Sequence, residues 1–195
     1  MGTYRLIGFG GVLGLLAGAA GFALGADQVG DWQLAARYTA RISFLLFLCV
    51  YCMGPAYRLT HAQALRGPLR NRRDWGLCFA MAHGVHLAAL VTFLAVSGKP
   101  ASPVTLVLGG FGYAVLLALV LTSNDAAMKR LGAQWKRLHR FGIHYLWLIF
   151  TLTYLGRVTG PQPSQSGKVL LAFALAAAAL RLAAFLNGRR QIQMG

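Results

Sequence analysis

The chain has 195 residues, 57% of them hydrophobic, a mean hydropathy of +0.56, four acidic residues and no glutamate. Only 12% of its residues are charged, against about a quarter in soluble domains, which excludes an ordinary soluble fold. The net charge of +15 does not imply a nucleic-acid surface either, because the lysines and arginines cluster in short stretches between long apolar runs.

Apolar stretches of about twenty residues, the length that crosses a bilayer, lie near 4–26, 38–57, 75–96, 103–122, 139–157 and 168–187. The expected fold is all-α: one transmembrane domain over 1–195, a bundle of about six membrane helices. The first run follows a single Arg5. It could be read as a secretory signal with Ala23-Leu24-Gly25 at the cleavage point, but its length favours a retained helix. Its Gly14, Gly18, Gly21 and Gly25 share one helix face, where another helix or a flat ligand can approach the backbone; helix packing is the expected use. The link 27–35 brings Asp27 and Asp31, with Arg37 and Arg41 following it.

The second helix contains Cys49-Val50-Tyr51-Cys52, a C-x-x-C spacing in an apolar helix where packing is expected over redox chemistry. Together with Cys78, it gives neither a disulfide framework nor a zinc site. The segment 58–74 carries Arg58, Arg66, Arg70, Arg72 and Arg73, with His61 expected to be solvated among them. The third helix holds His83 and His86, and the link 97–102 holds Lys99. After the fourth helix, the segment 123–138 carries Lys129, Arg130, Lys136 and Arg137. Asp125 is expected to cap a short helix there. His139 and His144 lie on the fifth helix, the link 158–167 is uncharged, and the tail has Arg189 and Arg190.

This charge asymmetry places both termini in the cytoplasm, in keeping with an even number of crossings. Trp75 and Trp135 then mark the cytoplasmic interface and Trp32 the opposite one. No internal repeat points to a repeat-built transporter, and no paired carboxylates or nucleophile triad can be assembled.

Ionisable side chains within a membrane are costly, so the histidines are the functional candidates. His83 and His86 share a helix face, whereas His139 and His144 point to different sides. Counting from Trp75 places His83 about 12 Å and His86 about 16 Å deep, and counting from Trp135 places His139 about 6 Å and His144 about 14 Å deep. His144 therefore falls between the levels of His83 and His86, as two axial imidazoles of a b-type haem would require. Arg37, Arg41 or loop arginines could pair with haem propionates. The competing reading is that these histidines are interhelical polar glue, with His139 simply at the interface beside Arg137 and Arg140.

Two stretches carry a family resemblance. One is Arg72-Arg73-Asp74-Trp75-Gly76-Leu77 followed by His86. The other is Leu121-Thr122-Ser123-Asn124, then Leu131-Gly132, Trp135 and Leu138-His139. Over residues 50–150 the chain resembles the ferric reductase-like transmembrane family, in its YedZ/MsrQ branch of haem-binding membrane subunits. The resemblance implies haem b ligated by His86 and a histidine of the fifth helix, which adds His139 to His86, His144 and His83 as candidate iron ligands; one haem is expected rather than two. It implies electrons arriving from a cytoplasmic flavoprotein reductase or a quinol, with flavin or quinone on that side. They would pass to a periplasmic acceptor protein across a bacterial inner membrane, with lipids around the bundle and no nucleic-acid partner. At best the chain would be the electron-transfer subunit of an oxidoreductase. Where the family has a further fifth-helix histidine, this chain has Leu152, with Tyr154 nearby. Either His144 takes that role, helped by His83, or the haem count is reduced, or binding is lost. The alternative function is a haem-free membrane scaffold or small-solute channel.

Overall fold

In lipid a spanning segment must satisfy its own backbone N–H and C=O groups, which an α-helix does. The computed structural model describes residues 3–98, 100–161 and 163–193, with side chains from 4 to 189 of these. Lys99 and the side chain of Arg190, both read above as topology charges, lie outside the described residues. Among the described residues the elements are α1 (Thr3–Ala23), α2 (Gln28–Thr60), a 3₁₀ turn (Gln63–Leu65), α3 (Arg66–Arg70), α4 (Arg72–Ser97), α5 (Pro103–Leu121), α6 (Asp125–Leu131), α7 (Ala133–Thr159) and α8 (Gln165–Gln193), with no strand.

Five of these helices, α1, α2, α4, α5 and α8, are long and apolar enough to cross a membrane, and they mark a membrane protein with lipid-contacting helices. The expected sixth run falls in α7, whose 27 residues span about 40 Å. Its length suffices. Its first half carries Lys136, Arg137, His139, Arg140 and His144, which leaves α7 outside those five.

Helices continue beyond their lipid-compatible runs. α2 begins at Gln28 rather than near 38, because Asp27 starts it: the Gly30 N–H donates to its carboxylate at 2.6 Å, and Asp31 lies in the first turn, where a negative charge favours the helix dipole. One expectation is corrected. The cap of α6 is Asn124, whose side chain accepts from the Ala127 N–H at 2.8 Å, while Asp125 is the first helical residue. α4 ends on Gly98 at φ +61°, and Gly132 at φ +52° separates α6 from α7; both conformations favour glycine.

The chain divides into two compact units, Met1–Phe47 with Asn71–Phe111, and Leu48–Arg70 with Gly112–Gly195. α2 gives its residues through Phe47 to the first and the rest to the second. In the first unit the glycine face of α1 is a packing surface. A Cβ at Gly10 would collide with the Cys78 carbonyl oxygen, one at Gly14 would lie 3.1 Å from Val85 Cβ, and one at Gly21 would lie 2.5 Å from the Ala35 nitrogen. In the second unit α7 and α8 are joined by Trp147, whose indole N–H donates to the Ala174 carbonyl at 2.9 Å. Gly142 faces Leu119, where a Cβ would come within 2.8 Å of Leu119 Cδ1. Large apolar side chains on α1, α5 and α8, among them Leu15, Val107 and Leu182, are exposed, as lipid contact requires.

Candidate functional site

The first unit holds the α4 histidines. Because they lie one turn apart on one face, their rings come together, with centroids 5.2 Å apart. Two buried hydroxyls of α2, also one turn apart, meet them. Ser43 Oγ is 2.9 Å from His83 Nδ1, and Thr39 Oγ1 is 3.2 Å from His86 Nδ1.

These contacts bear on the ring tautomers. Ser43 directs its single hydroxyl hydrogen at the Ala40 carbonyl, 3.0 Å away. Thr39 directs its own at Ala35, 2.8 Å away, with Ala36 at 3.1 Å. A hydroxyl that donates to its carbonyl can only accept from the ring, and in that arrangement Nδ1 of both histidines is the donor. In the neutral rings the lone pair then sits on Nε2. Metal-ligating histidines characteristically donate their other ring N–H to an oxygen acceptor that fixes tautomer and orientation, and this pair meets that condition.

The second unit holds the α7 histidines, which diverge as their five-residue spacing requires. His139 stacks on Trp135, centroids 4.0 Å apart, and its Nδ1 donates to the Trp135 carbonyl at 3.1 Å, so its Nε2 also carries the lone pair in the neutral ring. Trp135 is itself held by donation to the Thr122 carbonyl at 2.8 Å, one of the groups left without an intrahelical donor past the end of α5. His144 is exposed. Its Nδ1 lies 3.3 Å from the Tyr51 hydroxyl, with the two rings edge to face.

Tyr51 leads to a residue that the sequence reading passed over. Pro55 lies inside α2 and has no N–H, so the Tyr51 carbonyl four residues earlier loses its helical donor. Arg181 of α8 supplies one: its Nη1 donates to that carbonyl at 2.9 Å, and its guanidinium lies 4.3 Å from the centre of the Tyr51 ring. The signal was present as a proline within one apolar run and a lone arginine within another. A freed carbonyl in a membrane helix has to find a donor elsewhere.

The remaining expectations divide. His61 is exposed, as expected for a loop residue, and follows α2 at φ +52°. Cys49 is exposed, Cys52 half-buried and Cys78 buried, and none is in a disulfide. Arg41 lies over the Tyr38 ring, 5.1 Å from its centre. Tyr154 is buried and Leu152 exposed. No group of three His, Cys, Asp or Glu side chains able to hold a metal ion occurs among the described residues.

A haem needs only axial ligands from the protein, so the test of fit is donor chemistry. His83 and His86 offer Nε2 lone pairs on rings held by their Nδ1 hydrogens. Leaving one helix a turn apart, they cannot take opposite faces of one porphyrin, so each is at most one ligand of an iron. No family model and no solved structure matches the chain.

Proposed function

We propose that this membrane protein is the haem b-binding, electron-transferring subunit of a bacterial inner-membrane oxidoreductase. It takes electrons from a cytoplasmic flavoprotein or a quinol and passes them to a periplasmic acceptor. α7 is the sixth crossing in this reading, which returns both termini to the cytoplasm and leaves the arginine-rich segments there. The observation that carries the reading is the pair of hydroxyl contacts at Nδ1 of His86 and His83, which leave Nε2 of both rings as the ligating atom. It gives two neighbouring membrane imidazoles the donor set of iron ligands.

The candidate ligands are His86 and His83 in the first unit and His144 and His139 in the second. Ser43 and Thr39 hold the α4 rings in place through Nδ1, and apolar side chains around the helices keep water away. A bound haem would supply one-electron transfer, its potential set by axial ligand and surrounding charge.

An absorption spectrum of the purified chain, oxidised and then dithionite-reduced, tests this together with a haem count. Reduction is expected to give a sharp b-type α band, and His86→Ala is expected to lose it. His83→Ala, His144→Ala and His139→Ala assign the other ligand. A colourless protein from haem-replete cells would overturn the reading. It would favour the second, a haem-free scaffold or small-solute channel, which has its own support because the Ser43–His83 and Thr39–His86 bonds also tie α2 to α4 as polar glue does.

A further inference from the structure

In the second unit, the link from α5 to α7 is a short helix fastened at both ends. The Asn124 side chain caps the start of α6 by accepting from the Ala127 N–H at 2.8 Å, and the Gly132 N–H closes its end on the Met128 carbonyl at 3.1 Å. The base of the link is joined where the Trp135 indole N–H donates to the Thr122 carbonyl at 2.8 Å. Asp125 follows Leu121, the last residue of α5, by four positions, a reach of at most about 14 Å. α6 is therefore held beside the end of a helix long and apolar enough to cross the membrane.

The faces of α6 differ. Ala127, Met128 and Leu131 fall within about 100° of one another around the helix, while Asp125, Lys129 and Arg130 occupy the rest of the circumference. An apolar face of this kind normally turns inward, yet Met128 is 45% and Leu131 37% exposed. Leu121, itself exposed, brings the apolar surface of α5 up to the link. Lys129 and Arg130 are exposed too, as are Lys136, Arg137 and Arg140 in the first turns of α7.

We propose that α6 is an interfacial helix that binds anionic phospholipid, with Met128 and Leu131 entering the acyl boundary and Lys129 and Arg130 meeting headgroup phosphates. A basic amphipathic helix lies in the membrane surface in this way, and cations next to a membrane helix are drawn to an anionic leaflet. Two apolar side chains would bury too little area to hold a free peptide there. α6 is tethered by α5 and α7, so most of the cost of association is already met. The proposal stands independently of haem binding.

Hydrogen exchange read by mass spectrometry tests it on the full chain in detergent, in phosphatidylcholine nanodiscs and in nanodiscs containing phosphatidylglycerol. The amides of α6 are expected to exchange about tenfold more slowly with phosphatidylglycerol than with phosphatidylcholine alone. Lys129→Gln with Arg130→Gln should abolish that difference. Met128→Ser with Leu131→Ser keeps every charge and should leave a difference of about twofold. Equal exchange in the two lipids overturns the headgroup contact, and equal exchange in detergent as well assigns the face to a water-soluble partner and overturns the proposal whole. Full slowing in the serine variant reflects only the depletion of hydroxide at an anionic surface, and overturns insertion. Exchange in α5 and α7 reports whether the variants fold; should the serine pair fail to, Met128→Ser alone is read in the same way.

Discussion

The two units satisfy membrane helices in opposite ways. The first packs by removing side chains: glycines of α1 lie against backbone atoms of α4 and α2. Its contacts between α2 and α4 include short hydroxyls bonded to carbonyls of their own helix and to imidazoles. The second packs with large groups, Trp147, Tyr51 and Leu119, and meets a broken helical bond with a charged side chain from another helix. The difference lies in what remains after packing. The hydroxyl–imidazole pairs leave no net charge, whereas the arginine repair of a proline gap leaves a cation to be matched.

The comparison can be broken where glycine contact is closest. Gly10→Ala puts a methyl group into the Cys78 carbonyl, where backbone would have to move, and should cost about 3 kcal/mol by unfolding in mixed micelles. An equal cost for Gly84→Ala, which has open space at its Cβ, would show that position within the contact does not matter.

Next in size is the proline repair. Arg181→Met leaves the Tyr51 carbonyl without its charged donor and should cost about 2 kcal/mol. Pro55→Ala restores an N–H at the position that helical bonding requires. In that background the same arginine change should cost about 1 kcal/mol less. A strictly additive double-mutant cycle would show that Arg181 does not answer Pro55.

Smaller still is the loss of one interhelical hydroxyl. Ser43→Ala should cost about 0.6 kcal/mol, the average for such bonds in membranes, but change the His83 ring ¹⁵N spectrum by removing the Nδ1–H acceptor. An unaltered spectrum would remove the tautomer argument. Smallest is Val107→Ala on the exposed face of α5, which should stay within about 0.5 kcal/mol of the parent chain.

The helices were legible in the sequence because lipid demands long apolar runs, and a run such as 103–122 coincides closely with α5. Their ends were less legible. Hydropathy falls at the first charges, whereas the helix continues as long as backbone bonds and caps allow, as Asp27 does for α2. The histidine candidates were readable as polar residues in apolar runs, and the divergence of His139 and His144 followed from their spacing. Thr39 and Ser43 were not singled out, since small hydroxyls in membrane helices commonly bond their own backbone. Arg181 was missed because its partner is a backbone carbonyl, visible in sequence only as the proline four residues beyond.

The orientation of the Ser43 and Thr39 hydroxyls has a consequence for proton movement. A proton wire needs each group to accept on one side and donate on the other. Hydroxyl hydrogens donated to the helix carbonyls 2.8 and 3.0 Å away would pass nothing on. In that arrangement the Nδ1 side of His83 and His86 would be a dead end for proton hopping, and exchange at these rings would run through Nε2. Electron transfer at such a site would be separated from proton flow along α2 by the direction of two hydrogen bonds.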